Sequence, residues 1–132
     1  MRLVVPPGMQ HVPLEFGYAP GLISGGFLFI AGQLGRDDAM NVIADPEAQI
    51  TRAWENVRTI LRAAGAHVSD IVDVTSFHVG LRQHLATYKR VRDQVMAGHT
   101  PPWTAIGVSE LSRDGLLVEI KCVARLSGPA PA

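Results

Sequence analysis

The chain has 132 residues, 47% apolar and 18% charged, with twelve basic residues balancing twelve acidic ones. That length suits one domain, that apolar content excludes a disordered chain, and a net charge of zero removes the usual footprint of a phosphate-neutralising nucleic-acid binder. The single Cys122 cannot form an internal disulfide and fits a reducing, cytoplasmic setting, and no apolar run nears the ~20 residues of a membrane helix.

In chain order, Met1 to Met9 carries prolines and lacks the apolar centre of a secretory leader. Gly26 to Gly32 is a short apolar run bracketed by glycines, a buried strand that Leu22-Ile23-Ser24 can pair with through a Gly25-Gly26 turn. Asp45-Pro46 starts a helix, because Asp caps free N–H groups and Pro wastes none at the first position. Ile50, Ala53, Trp54, Val57, Ile60, Leu61 and Ala64 then form one apolar stripe, with Trp54 in the core, and Gly65 closes the helix in a left-handed cap.

Ile71 to Val79, β-branched and aromatic, predicts a second buried strand. Leu85, Tyr88, Val91 and Val95 make a second helical stripe that ends at Gly98. Two strands follow, Trp103 to Val108 and Leu116 to Leu126, with Arg113-Asp114-Gly115 turning between them and pairing one with the other. Two helices can cover only one face of such a sheet. In the last strand Val118, Ile120, Cys122 and Ala124 point under the helices, and Glu119, Lys121 and Val123 point to the free face. That mixture suits a wet subunit interface and plain solvent exposure equally. The domain covers residues 1–126, and residues 127–132 form a loose tail.

Five segments carry a resemblance. Phe16-Gly17-Tyr18-Ala19-Pro20, Ile30-Ala31-Gly32-Gln33-Leu34, Asn56-Val57 with Ala63-Ala64-Gly65, Pro101 to Val108, and Val118-Glu119-Ile120 are similar, in that order, to the RidA/YjgF family. The resemblance implies a chorismate-mutase-like α/β fold with a mostly antiparallel sheet, two helices on one face, and a homotrimer whose sheets meet in a central barrel. It implies small-molecule pockets between subunits and no cofactor or metal. The family's reactive intermediate deaminases hydrolyse imine or enamine products of amino-acid metabolism to keto acids and ammonia, and older names for the family are endoribonuclease and translation inhibitor.

Carried over by position, the resemblance makes Glu119 the water-orienting catalytic residue. Tyr18, Gly32, Gln33, Trp103 and Ala105 become the substrate-binding ones. Trp103 stands where the deaminases carry the arginine that grips the substrate carboxylate, and an indole has one N–H donor and no charge. The expectation is therefore a protein poor at 2-aminoacrylate, with Trp103 shaping a pocket for a flatter or aromatic ligand beside Glu119. Arg36 after the Gly-Gln loop, Lys121 beside Glu119, and His78 or His99 are the cations that could replace the arginine.

Plainer readings stand beside these. Glu119 could pair with Lys121, and Tyr18 could simply pack. The histidines read as structural, since they show no metal-ligand spacing. Cys122 reads as an inert buried thiol. The glycines after Ile30 lack the spacing and following helix of a phosphate loop. An RNase lacks support because the chain has neither a basic excess nor a stacking platform. An enzyme acting on an imine or related carbonyl compound, or a binding protein using the same pocket without turnover, remain.

Overall fold

The computed structural model describes residues 1–127, so the tail expected at 127–132 falls almost wholly outside the described residues. The strands are β1 (Arg2–Val4), β2 (Gly21–Ser24), β3 (Phe27–Leu34), β4 (Ile71–His78), β5 (Trp103–Gly107) and β6 (Val118–Arg125). The helices are α1 (Pro46–Ala63) and α2 (Leu81–Met96). One sheet runs β1-β2-β3-β6-β4-β5, antiparallel throughout except for the parallel pair β4 and β5.

The local expectations hold where local chemistry decides. Asp45 Oδ2 accepts from the Ala48 N–H at 2.9 Å, Pro46 opens α1, and Gly65 at φ +75° closes it. Gly25 and Gly26, both at positive φ, turn β2 into β3. The short strand β1, pairing Leu3 with Leu22, has no counterpart in the sequence reading.

One expectation fails. Strand β5 does not pair with β6. Residues 108–117 are longer than the roughly 2–5 residues of a hairpin loop, and they carry the chain past β4, so that β6 inserts between β3 and β4. Helix α2 meanwhile returns the chain parallel to β4, which puts β5 at the sheet edge.

Both helices cover one face. Leu28, Ile30, Val74, Ile120, Cys122 and Ala124 lie buried there beneath Trp54, Val57, Ile60, Tyr88 and Val91. Neither α1 nor α2 covers the opposite face. Phe27, Phe29, Thr75, Phe77, Glu119, Lys121 and Val123 alternate onto it, and Phe29 is 45% exposed.

Candidate functional site

A cleft of about 810 Å³ opens at the end of β3, lined by Phe16, Tyr18, Gly32, Arg36, Arg113 and Glu119 among others. Three chain segments build it. A wide helical turn, Val12–Phe16, ends at Gly17 with φ +77° and delivers the exposed rings of Phe16 and Tyr18 to the rim. The Ala31 N–H donates to the Pro20 carbonyl at 2.9 Å and fixes that segment against β3.

Strand β3 itself shifts register against β6 between Ile30 and Gln33. This irregularity brings Gly32 against the Glu119 side chain, where a Cβ would lie 2.6 Å from Glu119 Cδ. A side chain at this position would displace the carboxylate from where it lies. Burial pushes the Glu119 carboxyl up from its ordinary range, and the positive charge of Arg36 opposes that rise.

The chain leaves β3 through Gly35, whose missing side chain makes room for Gln49 of α1: a Cβ would lie 2.3 Å from the Gln49 carbonyl oxygen. Gln49 is fully buried and ties the cleft walls together. Its Nε2 donates to the Ile43 and Gly115 carbonyls at 2.8 and 2.9 Å, and its Oε1 accepts from the Leu117 N–H at 2.6 Å. Asn56 Nδ2 donates to the Leu34 carbonyl at 2.8 Å. The Arg113 guanidinium reaches across to the Met40 carbonyl, joining the 35–43 loop to the segment before β6.

Of the residues expected from the sequence, Tyr18, Gly32 and Glu119 meet in this cleft. Gln33 lines a small adjoining hollow of about 60 Å³ with Tyr18, Gly32 and Arg36, and its Nε2 donates to the Ala31 carbonyl at 3.0 Å. The expectation that Trp103 and Ala105 share a pocket wall with Glu119 does not hold within the chain. Strand β4 separates them, and the pleat decides the face. Trp103 and Ala105 sit opposite Val74 and Ser76, which are buried under the helices, whereas Glu119 sits opposite Phe77 on the other face.

Trp103 is instead locked under α2. Its ring stacks on Tyr88 at 5.4 Å, Arg92 lies 4.7 Å over the indole, and Nε1 donates to Ser76 Oγ at 2.8 Å. Ser76 Oγ lies 2.7 Å from His78 Nε2. Burial together with the charge of His84 holds the His78 pKa down. His99 is likewise occupied, its Nε2 bonding the Ile71 carbonyl at 2.7 Å. Lys121 is exposed on the open face opposite Thr75. Of the cations weighed for the missing arginine, Arg36 is the one beside Glu119 in the cleft.

The sequence reading missed the contributions of Phe16, Arg113 and Gln49. Gln49 alone left a signal, a polar residue four positions before Ala53 on the apolar stripe. Among the described residues, no three His, Cys, Asp or Glu side chains cluster as a metal site would need, and no helix is long and apolar enough to cross a membrane.

Comparison with known proteins places this geometry among others. Residues 10–126 match the family profile described as endoribonuclease L-PSP. The chain is 34% identical over 124 residues to the RutC family protein YjgH of Escherichia coli, covering 93% of each chain. The solved structure of protein YjgH superposes with a TM-score of 0.89 at 32% identity, over 97% of this chain and 98% of that one. Escherichia coli TdcF, solved with bound serine, has a TM-score of 0.77 at 30% identity over 83% and 88%. RidA from an Antarctic Psychrobacter has 0.78 at 27% over 83% and 88%.

Proposed function

The chain belongs to the RidA/YjgF family, described also as endoribonuclease L-PSP, and from that premise we propose that it is a homotrimeric hydrolase of a small imine or enamine. The observation that carries the reading is Glu119: a half-buried carboxylate, held against Gly32, facing a large cleft beside a guanidinium. In the proposed reaction Glu119 takes a proton as water adds to the C=N carbon. The proton passes to nitrogen, and collapse of the adduct forms C=O and releases ammonia.

The trimer completes the cleft in this reading. The face opposite α1 and α2 carries Phe27 and Phe29 at 37% and 45% exposure and Leu3 at 61%, alongside charged Glu119 and Lys121. Apolar groups interspersed with charged ones suit a wet subunit interface. Sedimentation equilibrium at micromolar concentration is expected to give three times the 14.2 kDa chain mass. A monomer there removes the shared cleft.

Substrate preference follows from Trp103. With no arginine at the start of β5 and the indole turned under α2, the three-carbon substrate 2-aminoacrylate lacks the bidentate carboxylate contact of the arginine-bearing relatives. Losing such a contact costs about 2–4 kcal/mol, roughly tens to hundreds in rate. An amino-acid oxidase generating the imine, with semicarbazone formation to count what escapes hydrolysis, is expected to show that deficit. Equal activity with an arginine-bearing relative overturns it.

A second reading is a sensor that holds the ligand without turnover, and TdcF is a family relative solved with serine bound. Release of ammonia from any imine decides between the two.

A further inference from the structure

We propose that Arg36 supplies the anion-holding charge of this cleft, so that the ligand is a planar or aromatic monocarboxylate larger than a three-carbon acid, gripped at the Phe16 end while its reacting group faces Glu119. The inference rests on the hydrolase reading only for the role of Glu119.

Two arginines, Arg36 and Arg113, line the cleft, and among the described residues the other arginines without an ion pair, Arg2, Arg62, Arg82 and Arg125, lie outside its lining. Arg52 pairs with Asp38, Arg58 with Glu55, Arg90 with Glu47 and Arg92 with Asp93, while the Arg113 guanidinium is tethered through one donor to the Met40 carbonyl. Among the described residues, no carboxylate lies within ion-pair distance of the Arg36 guanidinium, and no hydrogen bond engages it. Its one defined contact is the Phe16 ring, 6.0 Å from the guanidinium carbon to the centroid. A planar fork of five donors is thus presented to the cleft with its capacity unused.

Its backbone, by contrast, is fixed. The Arg36 N–H donates to the Leu34 carbonyl at 2.9 Å, and the residue bridges to Val42. Gly35, immediately before it, is clamped against Gln49, and Asn56 holds the Leu34 carbonyl. The side chain therefore leaves from a rigid point, with its guanidinium over an aromatic ring. That is the support a bidentate carboxylate contact needs, because little freedom remains to be lost on binding.

Size and lining give the rest of the ligand. About 810 Å³ lies within the range of sites that take drug-sized molecules. The exposed rings of Phe16 and Tyr18 offer faces on which a planar group stacks. The charge enters from the loop after β3 and not from β5. A short acid gripped by Arg36 has nothing left to stack; a longer aromatic one does.

Isothermal titration calorimetry with benzoylformate, its uncharged amide benzoylformamide, and pyruvate tests this on the purified protein. Benzoylformate is expected to bind at least tenfold more tightly than either of the others. Arg36→Gln should erase its preference over the amide while leaving the amide's affinity unchanged, and Arg36→Lys should restore part of it. Lys121→Gln should leave all three affinities as they are. Equal binding of acid and amide by the unaltered protein, a preference that survives Arg36→Gln, or one that disappears with Lys121→Gln overturns the assignment. Ammonia release from the imine of phenylglycine is read separately. Its absence, with the Arg36-dependent preference intact, removes the hydrolase reading and leaves the anion site standing.

Discussion

Glu119→Gln is expected to retain ligand binding within a few-fold and to lose turnover by about 10²–10⁴, the range a positioned acid–base contributes. The carboxamide has the shape of the carboxylate and still passes over Gly32, so the cleft keeps its form, but it cannot take a proton from water. Calorimetry is the right probe for the binding half. Trp54 is wholly buried and Trp103 is stacked under α2, so neither indole lines the cleft, and tryptophan emission does not report on it. The pH dependence has a definite sign. Turnover needs the ionised carboxylate, and burial raises the Glu119 pKa. The acid limb of kcat/KM should therefore lie above the range of an ordinary glutamate and be missing from the residual activity of Glu119→Gln. Full activity in that variant would end the role assigned to Glu119.

Gln49→Leu is expected to lower the stability of the fold by about 3 kcal/mol, because it strands the Ile43 and Gly115 carbonyls and the Leu117 N–H together, at about 1–3 kcal/mol for each unmet buried group, partly offset by the added apolar burial. Gln49→Glu separates geometry from polarity. It keeps the acceptor for Leu117 but turns an oxygen toward two carbonyls, so it should destabilise as well. Urea unfolding measures both. A loss under 1 kcal/mol in the leucine variant would mean that solvent satisfies these groups and that the three segments are not held through Gln49.

What could be read from the sequence divides along the distance over which each interaction acts. Helix α1 was legible in full because its start, stripe and stop are set by Asp45, Pro46, the three- and four-residue spacing and Gly65, all within one segment. The partner of β5 was not. The pairing that excludes it joins Ile30 to Cys122, and no local pattern encodes a contact across that much chain. The length of 108–117 was the one available warning against a hairpin.

The same holds within the site. Tyr18, Gly32 and Glu119 came from the resemblance and meet in the cleft. Trp103 misled because Trp103-Thr104-Ala105-Ile106 alternates two residue pairs of similar character, and neither face announces itself as the buried one. Only Tyr88 and Ser76, supplied by other elements, decide that the indole turns inward. Arg36 was visible as a cation after the Gly-Gln loop. Its entry into the cleft depends on the register shift after Ile30 and on Gly35 nestling against Gln49, neither of which a linear pattern shows.

The position of β6 bears on how the chain acquires this shape as it is made. The strand that is translated last of the six lies between β3 and β4 and bonds to both. Until Val118–Arg125 has emerged from the ribosome, the β1-β2-β3 ribbon and the β4-α2-β5 unit have no strand to join them, and each shows an unpaired edge. Glu119 is carried by that same strand, so the cleft and the continuous sheet come into being in one event, after synthesis has passed Arg125. A nascent chain stalled before β6 should thus be a protease-sensitive pair of fragments, and release of the final strand the moment at which protection appears.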